Sequence, residues 1–130
     1  MMKNYRLLLL GVAGLLMAGC ASVNVARNLN GQQLTTSGDA PIAHLNGDIY
    51  GYYLFGVWPL VTGDPADPDG TAWFTNTVTE QAAVDMVTRK SKELGAAKIT
   101  DLSSRTDSTG KQTLFLIWYS SVQVSGNAVK

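Results

Sequence analysis

The sequence predicts an α+β fold: a small antiparallel sheet of about four strands, with one helix at about residues 77–94 packed on one face. Three observations carry this expectation. Only one stretch has helical periodicity with both of its ends marked. The stretches around it are short, rich in β-formers and separated by turn residues. The resulting order, strand-strand-loop-helix-strand-strand, suits a single sheet with a helix laid across it.

Pro41 to Leu45 reads as a short strand, and Asn46-Gly47-Asp48 after it carries a hairpin-turn signal. Ile49 to Val57 follows as a second strand, dense in aromatics. Residues 63–70, Gly-Asp-Pro-Ala-Asp-Pro-Asp-Gly, form a loop, because neither proline can donate to a ladder and each restricts the residue before it. Residues 71–75 form a brief extended piece. In the helix, Thr77 and Glu80 have capping-box spacing, and Ala83, Val84, Val87, Ser91 and Leu94 fall on one stripe. Asp85, Arg89 and Glu93 stand four apart, while Arg89, Lys90 and Lys92 load the end that the helix dipole favours. Gly95 is placed to terminate it. Ala97 to Ser103 reads as a strand, and Arg105 to Lys111 as a polar turn around Gly110. Thr113 to Val124 reads as one long strand, with Leu114, Leu116, Trp118, Val122 and Val124 on one face. Phe115, Ile117 and Tyr119 lie on the other.

The chain of 130 residues carries ten Lys+Arg against ten Asp+Glu, a balance without the basic excess of a nucleic-acid binder. Residues 1–19 have the three parts of a secretory signal: positive Lys3 and Arg6, an apolar run from Leu7 to Ala18, and small residues before Cys20. The run is too short to span a bilayer, which takes roughly 20 apolar residues. Leu16-Met17-Ala18-Gly19-Cys20 resembles the lipobox of bacterial lipoproteins, with Met17 standing where the pattern prefers Leu. Cys20 is the only cysteine, so it has no partner for an internal disulfide. The resemblance implies a diacylglyceryl thioether on Cys20, an acyl chain such as palmitate on its amino group, and removal of residues 1–19. Ala21 rather than Asp after the cysteine implies sorting to the outer membrane, facing the periplasm, or to the plasma membrane where no outer membrane exists. Residues 20–40, polar apart from Val23, Val25, Leu29 and Leu34, are expected to form a lipid-anchored tether with at most one weak strand. Residues 41–130 then form a single domain.

Gly51-Tyr52-Tyr53-Leu54-Phe55-Gly56, followed by Trp58-Pro59-Leu60, resembles a motif of small uncharacterised bacterial lipoproteins, whose helix similarly ends in Leu-Gly-Ala, as Leu94-Gly95-Ala96 does here. That resemblance implies no particular activity. At the level of the fold alone, small stress-sensing outer-membrane lipoproteins are also similar, holding one helix against a sheet.

Catalytic chemistry finds little footing. There is one histidine, His44, and no Gly-x-Ser-x-Gly elbow, so His44 is expected to be an ordinary strand residue. Asp64, Asp67 and Asp69 lack calcium-loop spacing and are expected to serve turns, with no metal bound. No phosphate loop or dinucleotide turn calls for a cofactor, and no small-molecule substrate is indicated. The aromatic cluster Tyr50, Tyr52, Tyr53, Phe55 and Trp58 is expected to supply mostly core residues in a domain this small. It is also the candidate partner-binding surface, since Tyr and Trp serve both cores and interfaces. The expectation is therefore a lipid-anchored, periplasm-facing interaction or structural module, attached to the membrane through Cys20, with an envelope protein as partner. The alternatives are an envelope-stress sensor or adaptor and, third, an envelope enzyme.

Overall fold

The structure, a computed structural model, describes residues 20–29, 32–33, 38–114 and 116–130, and the side chains of residues 29, 32–33 and 108–114 lie outside that description. The signal segment 1–19, with Leu16 to Gly19 of the lipobox, also lies outside it. One helix, α1 (Glu80–Glu93), crosses an antiparallel sheet of six strands: β1 (Ala21–Ala26), β4 (Pro41–Leu54), β5 (Trp58–Gly63), β6 (Thr71–Trp73), β7 (Lys98–Leu114) and β8 (Ile117–Val129). Two-residue strands β2 (Asn28–Leu29) and β3 (Gln32–Gln33) pair with each other. The expected α+β class holds, with six strands where about four were expected.

The sheet runs β6-β5-β4-β8-β7. β8 pairs along the whole of β4, so β1 and β5 share the opposite edge of β4, one beside residues 44–49 and the other beside 51–54. The segment expected as a tether therefore begins with a sheet strand. Val23 and Val25 do alternate, but they face the helix side opposite Gly47 and Leu45, and Ala21 is fully buried in the core.

Asn46-Gly47-Asp48 is not a turn. All three residues lie in the middle of β4, paired with β1 on one side and β8 on the other. Along β4 every odd position from Ala43 to Tyr53 is buried under the helix, and Gly47 falls in that series. A methyl group on Gly47 would stand 2.6 Å from Val87 Cγ2 and 3.6 Å from Ala83 O. The glycine is thus the place where α1 lies down on the sheet, and close approach, not turn geometry, is what requires it.

The helix begins later than the capping-box spacing suggests. Thr79 is the N-cap, its side chain accepting from Ala82 N at 3.2 Å. Thr77 instead serves the sheet: its Oγ1 lies 2.6 Å from both Gly63 O and the fully buried Thr62 Oγ1. Glu80 meets Ser104 rather than closing a capping box. Gly95, at φ +76°, ends the helix as expected. Ala83, Met86, Val87 and Ser91 are the buried positions of α1, so Met86 belongs to the core face along with the expected stripe. Arg89 does not serve the helix charge pattern; it reaches across to the carbonyls of Pro65 and Ala66 and pins the proline loop.

Residues 105–111 are not a free turn, because Asp107 pairs with Ser121 and Lys111 with Tyr119 inside β7. Nor is 113–124 one strand: Leu114 pairs with Ile117, so the chain reverses between them. Val122 and Val124 face the core, as expected.

Candidate interaction surface

The helix covers one face of the sheet. Cross-strand pairs show what occupies the other, since residues directly opposite each other share a face. Tyr119 lies opposite Tyr52, Tyr52 opposite Val61, and Val61 opposite Trp73. One step along, Ile117, Leu54 and Trp58 form a second row. Tyr50 precedes them on β4. Its ring lies 6.4 Å from Tyr52 and 5.6 Å from Tyr119, and these two are 5.9 Å apart. Beyond Tyr50 the same face turns polar, with Asp48, Asn46 and His44 on β4 and Gln123, Ser125 and Asn127 on β8.

Cys20 sits at the border between these halves. Its carbonyl accepts from Tyr50 N at 3.1 Å, and the pairing of Ala21 with Ile49 sets it opposite Tyr50. Burial first, then the side chain of Cys20 and the neighbouring Tyr52 and Tyr119, push the Tyr50 phenol up to about 12. Tyr119 is raised chiefly by burial, and Asp48 is raised by burial alone.

The five aromatic candidates thus divide among three places. Tyr53 is a core residue whose hydroxyl donates to Asn76 Oδ1 at 2.7 Å, and burial raises its phenol. Tyr50 and Tyr52 stand half-buried on the open face. Phe55 and Trp58 are exposed at the end of the sheet, edge-to-face with centroids 6.0 Å apart.

Sequence reasoning missed Val57, Trp73, Phe74 and Leu116, which are exposed at the same end. Phe55 N donates to Leu116 O, and Phe74 N to Leu60 O, so three connections meet there. Val57 is 72% and Phe74 75% exposed, the most of any large apolar side chain among the described residues. Phe55 and Phe74 both hold left-handed backbone, at φ 53° and 55°. For a bulky residue that conformation costs about 1 kcal/mol or more. A cavity of about 370 Å³ opens beside this tip, lined by Tyr53, Phe55, Asn76, Val78 and Trp118. None of these lining side chains carries a carboxylate, imidazole or thiol.

The remaining candidate groups lie elsewhere. His44 is at the polar end of the sheet, its Nδ1 2.8 Å from Asn127 Oδ1, while Asn127 Nδ2 donates to Asp101 Oδ2. Asp64 Oδ1 accepts from Ala66 N and Asp67 Oδ1 from Asp69 N, the local hydrogen bonds of Asx turns. Among the described residues no group of three His, Cys, Asp or Glu side chains is placed to hold a metal ion. No helix among them is long and apolar enough to cross a membrane. The chain matches no family model, and neither the curated proteins nor the solved structures provide a significant match.

Proposed function

We propose that the protein is a lipid-anchored module of the bacterial cell envelope, attached through Cys20 and acting by docking on an envelope protein rather than by catalysis. The observation that carries this reading is the apolar tip formed by Phe55, Val57, Phe74 and Leu116. Its two phenylalanines are held outward on strained backbone instead of being turned into the core. Large exposed apolar groups clustered at one place mark interaction sites. The lipobox resemblance and the exposed Cys20 support the anchor, and Ala21 after the cysteine supports the outer membrane, facing the periplasm.

Two measurements test the two parts. A chain carrying Cys20→Ser should take up no labelled fatty acid, because a hydroxyl cannot replace the thiol in thioether formation; label retained at the wild-type level refutes the anchor. A photo-cross-linking residue placed at Val57 or Phe74 in intact cells should give the same product from both positions, lost when Phe55→Ser is added. Products that differ, or that survive Phe55→Ser, refute the tip as the docking surface.

A further inference from the structure

On the sheet face away from the helix, the two apolar rows and Tyr50 form a band that ends where the chain enters the fold. Trp58 and Trp73 are its exposed members, Tyr50, Tyr52, Leu54, Ile117 and Tyr119 are half-buried, and Val61 is fully buried. We infer that this band lies on the lipid bilayer, with the rings of Tyr52, Tyr119, Trp58 and Trp73 in the headgroup region. The inference rests on the membrane attachment at residue 20 proposed above and adds the surface that faces the membrane.

The first support is the lack of slack at the point of entry. Ala21 is fully buried and Cys20 is bonded to Tyr50 through its carbonyl, so the fold begins at the attachment residue itself. The apolar run of the sequence ends at Ala18, two residues earlier. At about 3.3–3.6 Å per residue, that separation is about 7 Å. Whether the membrane is entered by lipid on Cys20 or by the apolar run still attached, it meets the domain at the same point.

The second support is where the face changes character. On β4, β5, β6 and the start of β8, apolar and aromatic groups occupy the side of Cys20 toward Leu54 and Ile117, with Lys111 and Asp107 at its β7 edge and Ser121 beside Tyr50. Polar groups occupy the side toward His44 and Asn127. Cys20 falls opposite Tyr50, since Ala21 pairs with Ile49 and the Cys20 carbonyl accepts from Tyr50 N, so its side chain shares this face. A protein partner would not require the apolar boundary to coincide with the anchor, whereas a bilayer held at Cys20 does. Tyr and Trp are the side chains enriched at membrane–water interfaces, where one end of the ring is wet and the other is not. Asp48 and Asp107 stand near the rings, both raising the Tyr119 phenol, so attraction to anionic headgroups is not the driving force. Burial of the rings is, and the contact should withstand salt.

The three tryptophans supply an internal control. Trp58 and Trp73 belong to the band, while Trp118 lies opposite Tyr53 on the helix side of the sheet. The full chain, purified from membranes, is reconstituted into phosphatidylcholine vesicles with brominated acyl chains. Three variants each keep one tryptophan, with Trp→Phe at the other two positions. Trp58 and Trp73 should lose most of their emission to the bromolipid in low and high salt alike, and Trp118 much less. Because Trp118→Phe touches the core, the wild-type chain gives a second readout. Hydroxyl-radical footprinting on the vesicles should show Tyr52 and Trp73 oxidised less than in free Cys20→Ser protein, with α1 unchanged.

Equal quenching at all three positions would overturn the orientation. So would a vesicle-bound chain whose Trp58 and Trp73 remain open to aqueous iodide. Protection from iodide without bromolipid quenching, together with a doubled mass, would assign the face to a second copy and overturn the proposal. A chain that does not remain with the vesicles fails earlier, at the attachment itself.

Discussion

Replacing Gly47 with alanine tests the central contact of the fold. The new methyl would meet Val87 Cγ2 at 2.6 Å, well inside van der Waals contact, and Val87 is fully buried on a helix that carries Ala83 and Met86 beside it. A valine in a helix has one strongly preferred rotamer, so the obstruction cannot easily swing aside. Inserting an extra methyl into a packed core costs about 1–3 kcal/mol. Restricting the unfolded chain by replacing glycine returns about 0.4–1 kcal/mol. The net expectation is a loss of about 1–2 kcal/mol, a sizeable share of the roughly 5–15 kcal/mol typical of a domain. Val87→Ala alone removes two buried carbons at about 0.8 kcal/mol each and leaves a cavity in addition. In Gly47→Ala/Val87→Ala the new methyl occupies part of that cavity, so the double variant should be more stable than the sum of the two losses, by about 1 kcal/mol. Urea unfolding of the four proteins measures this directly. Strict additivity would refute the contact. So would wild-type stability of Gly47→Ala.

Three further outcomes follow from the geometry. The Asp48 carboxyl is raised above 3.8 by burial, so the folded chain favours its neutral form; the stability this group contributes is present below pH 3.8 and lost as pH rises through the shifted value. Asp48→Asn should therefore melt higher than wild type near neutral pH, with the gap closing in acid, as thermal melts across the pH range will show. Thr79→Ala should cost about 0.5–2 kcal/mol as an N-cap loss. Thr77→Val should cost more, by removing a buried hydroxyl that bridges Gly63 O and Thr62 Oγ1, the latter keeping only its bonds to Thr75 O and Ala72 O. Urea melts that reverse this order would restore Thr77 as the cap. In an alkaline titration followed by tyrosinate absorption, one phenol should ionise only near pH 12 and be missing in Tyr50→Phe, while the Tyr53 and Tyr119 phenols still titrate above the ordinary range; an unchanged late transition would assign it to another tyrosine.

The helix and its glycine stop were legible because local rules govern both, and α1 lies within the residues that its periodicity marks. The aromatic strand was legible as a strand for the same reason. What misled was chemistry that serves two purposes. Asn-Gly is hairpin vocabulary, yet here the missing side chain of Gly47 admits a helix that lies nearly 40 residues further along the chain, and no local pattern contains that neighbour. Thr77 has N-cap spacing to Glu80, but a buried threonine on β5 claims its hydroxyl. Gly110 sits in a polar run that reads as a turn; the β7–β8 register shifts across it, between Asp107 and Lys111, but the chain does not reverse until after Leu114. Of the candidate surface, the sequence marked Phe55 and Trp58 but not Trp73, Phe74 or Leu116. Those three join it through the meeting of β5, β6 and the β7–β8 reversal, and phenylalanine in left-handed backbone contradicts its own local preference.

The burial of Ala21 also dictates an order of events. In the folded chain the bond between Gly19 and Cys20 leads straight into a strand locked along β4, and Cys20 abuts the backbone of Gly63. An enzyme that must grasp an extended peptide from Ala21 onward has no access to it once β1 is in place. On the lipid-anchored reading, lipid transfer and cleavage must finish while the N-terminal segment is still unfolded, and β1 then closes the edge of β4 as the last act of maturation. Mutations that hasten docking of β1 would slow processing without touching the lipobox. The alanine after the cysteine answers to the core as well as to any sorting machinery, so Ala21→Asp would unfold the edge it was meant only to readdress.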